Sequence, residues 1–541
     1  MSKKYTLADF CKKRGITPEW LASKDGNLEI DGRTKQLPDD ELIVGGDLTI
    51  TNPAFSKFPD RVVVGGNLTI DHCDLEYLPN RIEVYGSVLV VFSSFKRIHE
   101  GCTFHQSICF EHCQLQEIAD FTHVHGILRL DNCIIDTLPK GLVVDELLSI
   151  SSTYIQSIPA DCRCKELIAS YSRLTKLPDN WSVEGLNITG CPIAELPKGL
   201  VVDKILSIGY TNIQSIPADC RCKELIASYS KLQSIPDNWS VEVLNLTGCP
   251  ITELPNGLRN LKYLNIAYTR IREIKEVYPG VEFNASNSQV RKLPDNWNAK
   301  YISVCGCPME ILPRGMHVAQ DLDISETRIT SIPDDCQVGR SIIAYNSQLK
   351  CVPDDLVLSG DLDVFGTDIT VIPANVIAKR IFCNSQVTVD AYRFNWRREA
   401  IDFHPNGQYV CCDRIVSKIL EHKGNVWRCV DLSVDKEHFL VTDGEGHYAH
   451  GMTIQMAKAD LRFKVNERYI SQYETLTLDD SLSFDEAYTC YRNITGACRF
   501  GTDQFIQSLP EVKESYTIRE IIELTKGQYG HQAFARFFCA V

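Results

Sequence analysis

No apolar run in this 541-residue chain reaches the roughly 18 residues that a bilayer-spanning helix needs, so membrane insertion is not expected. Positive charge is also in deficit. The 56 Lys and Arg against 70 Asp and Glu leave a net charge of -14, which repels phosphate backbones and argues against nucleic acid as a partner. Residues 1–25 lack the apolar core of a secretory signal, because Lys3, Lys4, Asp9, Lys12, Lys13, Arg14 and Glu19 interrupt them; synthesis and folding are expected in the cytoplasm. Nor are the 23 cysteines gathered into a short module. An odd number scattered over the whole chain suits reduced thiols better than a disulfide framework. Common zinc-knuckle spacings are missing, and no metal or cofactor is expected. What is present, 44% hydrophobic and 23% charged residues, is an ordinary folding composition in a chain too long for one compact core.

That length is organised by repetition. An apolar anchor residue, usually followed by proline, returns every 19 to 21 residues, from Leu37 and Phe58 through Leu78, Ile98 and Ile118 to Val352 and Ile372. Further apolar residues precede each anchor by ten, eight and three places, as Leu68, Ile70 and Leu75 precede Leu78. The first two alternate as a short strand requires, whereas the proline forbids a helix and no unit has room for one. One unit cannot bury its apolar face alone; stacked units pair their strands in parallel and share a core. The expected fold class is a leucine-rich-repeat solenoid with one parallel strand per unit and extended convex arcs.

The residue five places before the anchor is Cys73, Cys113, Cys133, Cys191, Cys249 or Cys307 in some units and Thr or Ser in others. A small hydrogen-bonding side chain there suits the bend that leaves the strand, which gives most cysteines a structural reading. A 58-residue period is superimposed from Leu138 through Leu196 and Leu254 to Leu312, and Pro-Asp-Asn-Trp recurs at Trp181, Trp239 and Trp297. The segments 155–172 and 213–230 are identical, as tandem duplication would leave them. From Asn27 to Asn384 the chain resembles the short bacterial leucine-rich repeats with a Leu-Pro step, found in effectors delivered into host cells and in phage and prophage repeat proteins. The resemblance implies a protein-binding repeat face and cytoplasmic action in the producing cell or infected bacterium, with delivery into another cell as an alternative. Candidate binding residues on the exposed strand positions are Asn187, Asn245, Asn265, Asn284, Asp323 and Asp363, with Tyr171, Tyr210, Tyr229, Tyr268 and Tyr345 nearby.

Three domains are expected: a helical cap over 1–26, the solenoid over 27–389 and an α+β domain over 390–541. In the cap, Thr6 and Thr17 read as N-caps and Gly15 as a stop, with Phe10, Trp20 and Leu21 set to cover the open core. In the last domain, strands are predicted over 408–412, 415–421, 426–432 and 438–442, and helices over 453–464, 483–494, 502–508, 517–526 and 531–538.

Two constellations in this tail point to chemistry. Cys498 precedes a predicted helix, and His447 and His450 with Asp443 lie on a glycine-rich turn upstream. A thiol at a helix start activated by an imidazole would make a hydrolase or deamidase. Cys411 and Asp413, in Cys411-Cys412-Asp413-Arg414, match the Cys-x-Asp motif of bacterial effector ubiquitin ligases, which also carry Leu-Pro repeats. Those ligases have an all-helical catalytic domain, from which the predicted strand at Cys411 departs. A non-enzymatic protein-binding role is the favoured reading, with a thiol enzyme as the alternative.

Overall fold

The computed structural model describes residues 4–34, 36–39, 41–55, 57–79, 81–392, 394, 401–413, 415–432, 436–465, 470–497, 499–509 and 511–539. Its contacts divide the chain into two compact units, one of residues 1–299 and 303–309, the other of residues 300–302 and 310–541.

The first unit opens with α1 (Leu7–Arg14), capped by a reciprocal Thr6–Asp9 box and closed by left-handed Gly15, and α2 (Pro18–Leu21), capped by Thr17. Phe10, Cys11 and Leu21 are buried, but Trp20 is 43% exposed. Trp20 is therefore not the core cover its size suggests: in so short a helix Leu21 takes the inward face and its neighbour turns out. A parallel ladder follows, one strand per repeat, with Leu48 beside Leu68, Leu68 beside Val88, and Leu186 beside Leu206. The leucine-rich-repeat solenoid is thus observed, its alternating strand residues buried and the residues between them facing out.

Polar side chains reinforce the stacking. Asn27 Oδ1 accepts from Asp47 N at 2.7 Å, Asp47 Oδ1 from Asn67 N at 2.7 Å, and Asn67 Oδ1 from Ser87 N at 2.9 Å, a ladder that satisfies amides where each strand begins. Close approach makes glycine necessary beside it. A Cβ on Gly65 would lie 2.2 Å from Gly45 O of the preceding repeat. In the slot before the anchor, Thr153, Thr211 and Thr269 donate to carbonyls of their own repeats, at 2.7 Å each. The cysteines reach back instead: Cys191, Cys249 and Cys307 sit 2.9, 3.1 and 3.0 Å from the carbonyls of Ala169, Ala227 and Ala285. Burial pushes the thiols of Cys133, Cys162 and Cys220 up to about 12, so they are inert packing groups at neutral pH.

The arcs are extended as expected, but the expectation of one strand per unit is corrected. Several repeats carry a second short strand, and Glu41–Val44, Arg61–Val64, Arg81–Val84 and Thr103–Phe104 form a second parallel sheet. The cause lies in their β-branched alternation: Val62 and Val64 are buried while Val63 faces outward, a half-buried strand pattern.

The second unit contains its own ladder, Leu322–Asp323, Ile342–Ile343, Asp361–Asp363 and Arg380–Phe382, again parallel. Beyond it an antiparallel meander runs through Ile401–Phe403, Tyr409–Cys412, Ile415–Lys423, Val426–Asp431, Lys436–Thr442 and Tyr448–Gly451. The first and last of these strands are additions to the four predicted. Helices α3 (Ile454–Val465), α4 (Phe484–Thr495), α5 (Arg499–Gln507), α6 (Ile518–Leu524) and α7 (His531–Cys539) follow. Capping boxes at Ser483–Glu486 and Thr517–Glu520 start α4 and α6. Among the described residues, no helix is long and apolar enough to cross a membrane.

Candidate functional site

Where the strands from Leu68–Asp71 onward end, six places before the anchor, the backbone turns out through a left-handed residue. Gly190 and Gly248 occupy this place with φ of 73° and 69°, and Asn132 and Asn287 with 60° and 57°. These are the residues such a bend prefers. Yet Tyr171, Tyr210, Tyr229 and Tyr268 adopt the same bend, with φ of 57°, 56°, 58° and 58°. An aromatic side chain in this region costs on the order of 1–2 kcal/mol. Core burial does not offset that cost, because the four rings are 64%, 58%, 48% and 57% exposed. The backbone needs only the bend: the amides of Tyr171 and Tyr210 donate to Thr189 O at 2.8 Å and Ser228 O at 3.0 Å.

The rings form a ledge along the repeats. Tyr171 lies over Gly190 and Tyr229 over Gly248, where a Cβ on either glycine would meet the ring at 2.4 Å. Tyr210 and Tyr229 stack at 5.2 Å. At the same register nearer the amino terminus, Phe92 stacks between His72 and His112, 4.9 Å from each. The sequence marks this second cluster by the same distance from the anchor, although its residues are histidine and phenylalanine in place of tyrosine. Tyr345 sits one place earlier in its repeat, before left-handed Asn346, and stacks on Phe365 at 6.0 Å.

The strand-face asparagines have a local duty. Oδ1 of Asn187, Asn245, Asn265 and Asn284 accepts from the amide two residues on, at 3.1, 3.1, 3.0 and 2.9 Å. Asp323 and Asp363 do the same for Ser325 and Phe365 at 3.0 and 3.1 Å. These Asx turns steer the chain into the bend, so the polar row builds the platform on which the aromatic row stands.

In the tail, Cys411 and Cys412 face opposite sides of their strand. Cys411 is 1% exposed and packs with Ile377, Phe394 and Val416. It is Cys412 that lies near His450 and Asp413, their donor atoms all within 4.8 Å of one another. Asp413 is paired with Lys464 at 2.5 Å, and His450 Nε2 donates to Cys412 O at 3.3 Å. This group too is enclosed, with Cys412 at 3% and His450 at 0% exposure. His447 instead stands on the exposed turn, 2.6 Å from Asp443 Oδ2. Cys498 and Arg414 lie outside the described residues. A cleft of about 70 Å³ beside Lys436, Met456, Asp460, Arg499 and Gln504 is well below the roughly 300 Å³ of a small-molecule site.

Burial holds His450 well below the ordinary imidazole value of 6.5, helped by the neighbouring His438 and Lys464, and burial lowers His438 as well. Both rings take up a proton less readily in the fold than in the unfolded chain. Tail stability is therefore present above pH 6.5 and is lost as pH falls below it, by at most about 1.4 kcal/mol per pH unit for each ring. Hydrogen exchange of Tyr448–Gly451 on either side of that pH checks this, and His450→Gln should flatten the dependence.

One family model agrees on the repeat. The Leucine Rich Repeat family matches residues 240–261. No curated protein matches the chain. Among solved structures, YopM from Yersinia enterocolitica WA-314 is similar at 17% identity and a TM-score of 0.33, over 70% of this chain and 93% of that one. YopM from Yersinia pestis, described as a leucine-rich effector protein, matches at 15% identity and 0.29, over 70% and 91%.

Proposed function

We propose that this chain is a non-enzymatic binding protein that recognises a protein partner along its repeat face, with the left-handed aromatic row as the anchor. One observation carries the reading: four tyrosines occupy an exposed left-handed bend that other repeats fill with glycine or asparagine, or with His72, Phe92, His112, Ser152 and Glu326. Local strain with neither a burial nor a backbone benefit is characteristic of a functional surface. Tyrosine supplies a large rigid contact at small entropic cost and is enriched among residues that dominate binding energy. The resemblance to bacterial and phage repeat proteins supports a bacterial or phage origin and action in the cytoplasm of the producing or infected cell, with delivery into another cell as the alternative.

Replacing Tyr210 and Tyr268 together by glycine tests this. Capture of the partner should weaken by about 2 kcal/mol or more, while thermal unfolding stays unchanged or shifts upward, because glycine relieves the left-handed bend. Cys411→Ser should leave capture and biological effect intact. Retained capture with a lower melting temperature would make the rings packing elements and sink the proposal.

A further inference from the structure

On the arcs of the first unit, two repeats bring a pair of imidazoles and a carboxylate together. His123 and His125 flank Val124, which is fully buried, so both histidines leave the strand on its outer side. The strand pairs in parallel with Val143–Val144, and Asp145 N donates to Val124 O at 3.0 Å, which locks the following aspartate beside the two rings. His123 Nε2 lies 2.9 Å from Asp145 Oδ1 and His125 Nδ1 lies 3.0 Å from Oδ2, with the ring centroids 4.1 Å apart. The three donor atoms fall within 4.8 Å of one another, and all three side chains are nearly half exposed.

We propose that His123, His125 and Asp145 form a surface binding site for a divalent transition cation of the zinc, cobalt or nickel class, with water completing the coordination. Two imidazole nitrogens and one carboxylate oxygen are the donor set these ions favour, whereas calcium and magnesium take oxygen ligands. The spacing suits the ion. The two imidazole nitrogens stand 2.9 and 3.0 Å from different oxygens of one carboxylate, and because tetrahedral bonds of roughly 2.1 Å need donor atoms about 3.4 Å apart, the exposed side chains must open slightly to admit the ion on one of those oxygens. Rigidity also favours it, since both donor-bearing backbones are tied into the paired strands. His123 would coordinate through Nε2 and His125 through Nδ1, each ring keeping its proton on the other nitrogen. The buried Cys412, Asp413 and His450 group differs in that the Lys464 ammonium already answers its carboxylate.

Titration of the full-length reduced chain with Co²⁺, followed by calorimetry and visible absorption, tests the site. One ion per chain should bind with the ligand-field bands of nitrogen and oxygen donors, without thiolate charge transfer, and excess Mg²⁺ should not displace it. His123→Ala, His125→Ala and Asp145→Asn should each weaken binding by about tenfold or more, while His447→Ala should leave it unchanged. Asp145→Asn preserves side-chain shape, so a normal melting temperature without metal separates loss of a ligand from loss of fold. Equal affinity in the three variants, binding through thiolates alone, or no binding would overturn the proposal.

Discussion

Trp297→Ala is expected to cost roughly 3 to 5 kcal/mol, among the largest losses available to a single substitution in the repeats. Trp297 is fully buried, its ring centred 5.0 Å from Phe283, and its Nε1 donates to Tyr278 O at 3.1 Å. Truncation leaves a cavity and removes one of the two hydrogen bonds that Tyr278 O accepts, the other coming from Val281 N at 3.3 Å. The same bond recurs at Trp239, to Cys220 O at 3.0 Å, and at Trp181, to Cys162 O at 3.4 Å, so it belongs to the 58-residue unit and not to one site. Because stacked repeats contact only their neighbours, protection from hydrogen exchange should fall first in Tyr263–Asn265 and Glu282–Asn284 and later in Leu48–Ile50. Trp297→Phe should recover most of the loss. Equilibrium unfolding indistinguishable from the parent would mean that the indole does not seal the arc.

The second large effect is expected at Asp413. Its carboxylate is 7% exposed and paired with Lys464, itself 13% exposed, whose ammonium also donates to Tyr448 O at 2.9 Å. Asp413→Ala removes the carboxylate of a buried ion pair and should cost the tail roughly 3 to 5 kcal/mol. Combining Asp413→Asn with Lys464→Met removes both charges and should restore much of the stability. A catalytic carboxylate would behave differently: Asp413→Asn alone would abolish an activity while the melting temperature held. Thermal unfolding of the two variants beside the parent separates these roles.

Much of the framework was legible because it repeats. Leu68, Ile70, Leu75 and Leu78 are all buried, as their offsets predict, since every unit must present the same apolar face to its neighbour. The helix starts at Thr6, Ser483 and Thr517 were equally legible, because a capping box is a contact between residues three apart. The strands Ile401–Phe403 and Tyr448–Gly451 were not. The pairings that complete them, Ile401 with Cys412 and Leu440 with His450, are made outside their own short segments.

The functional surface divides the same way. Sequence alone determined that there is a leucine-rich-repeat array, where its anchors lie and that tyrosines recur beside its strands, because period and burial are written into every unit. Tertiary structure decided that Tyr171, Tyr210, Tyr229 and Tyr268 stand on left-handed bends and that Phe92 joins His72 and His112. It also decided that Cys412, and not Cys411, faces His450, and that His123, His125 and Asp145 meet. Each of these depends on a backbone angle or on a neighbour set by the stacking of separate segments, and a residue's own position in the chain carries neither.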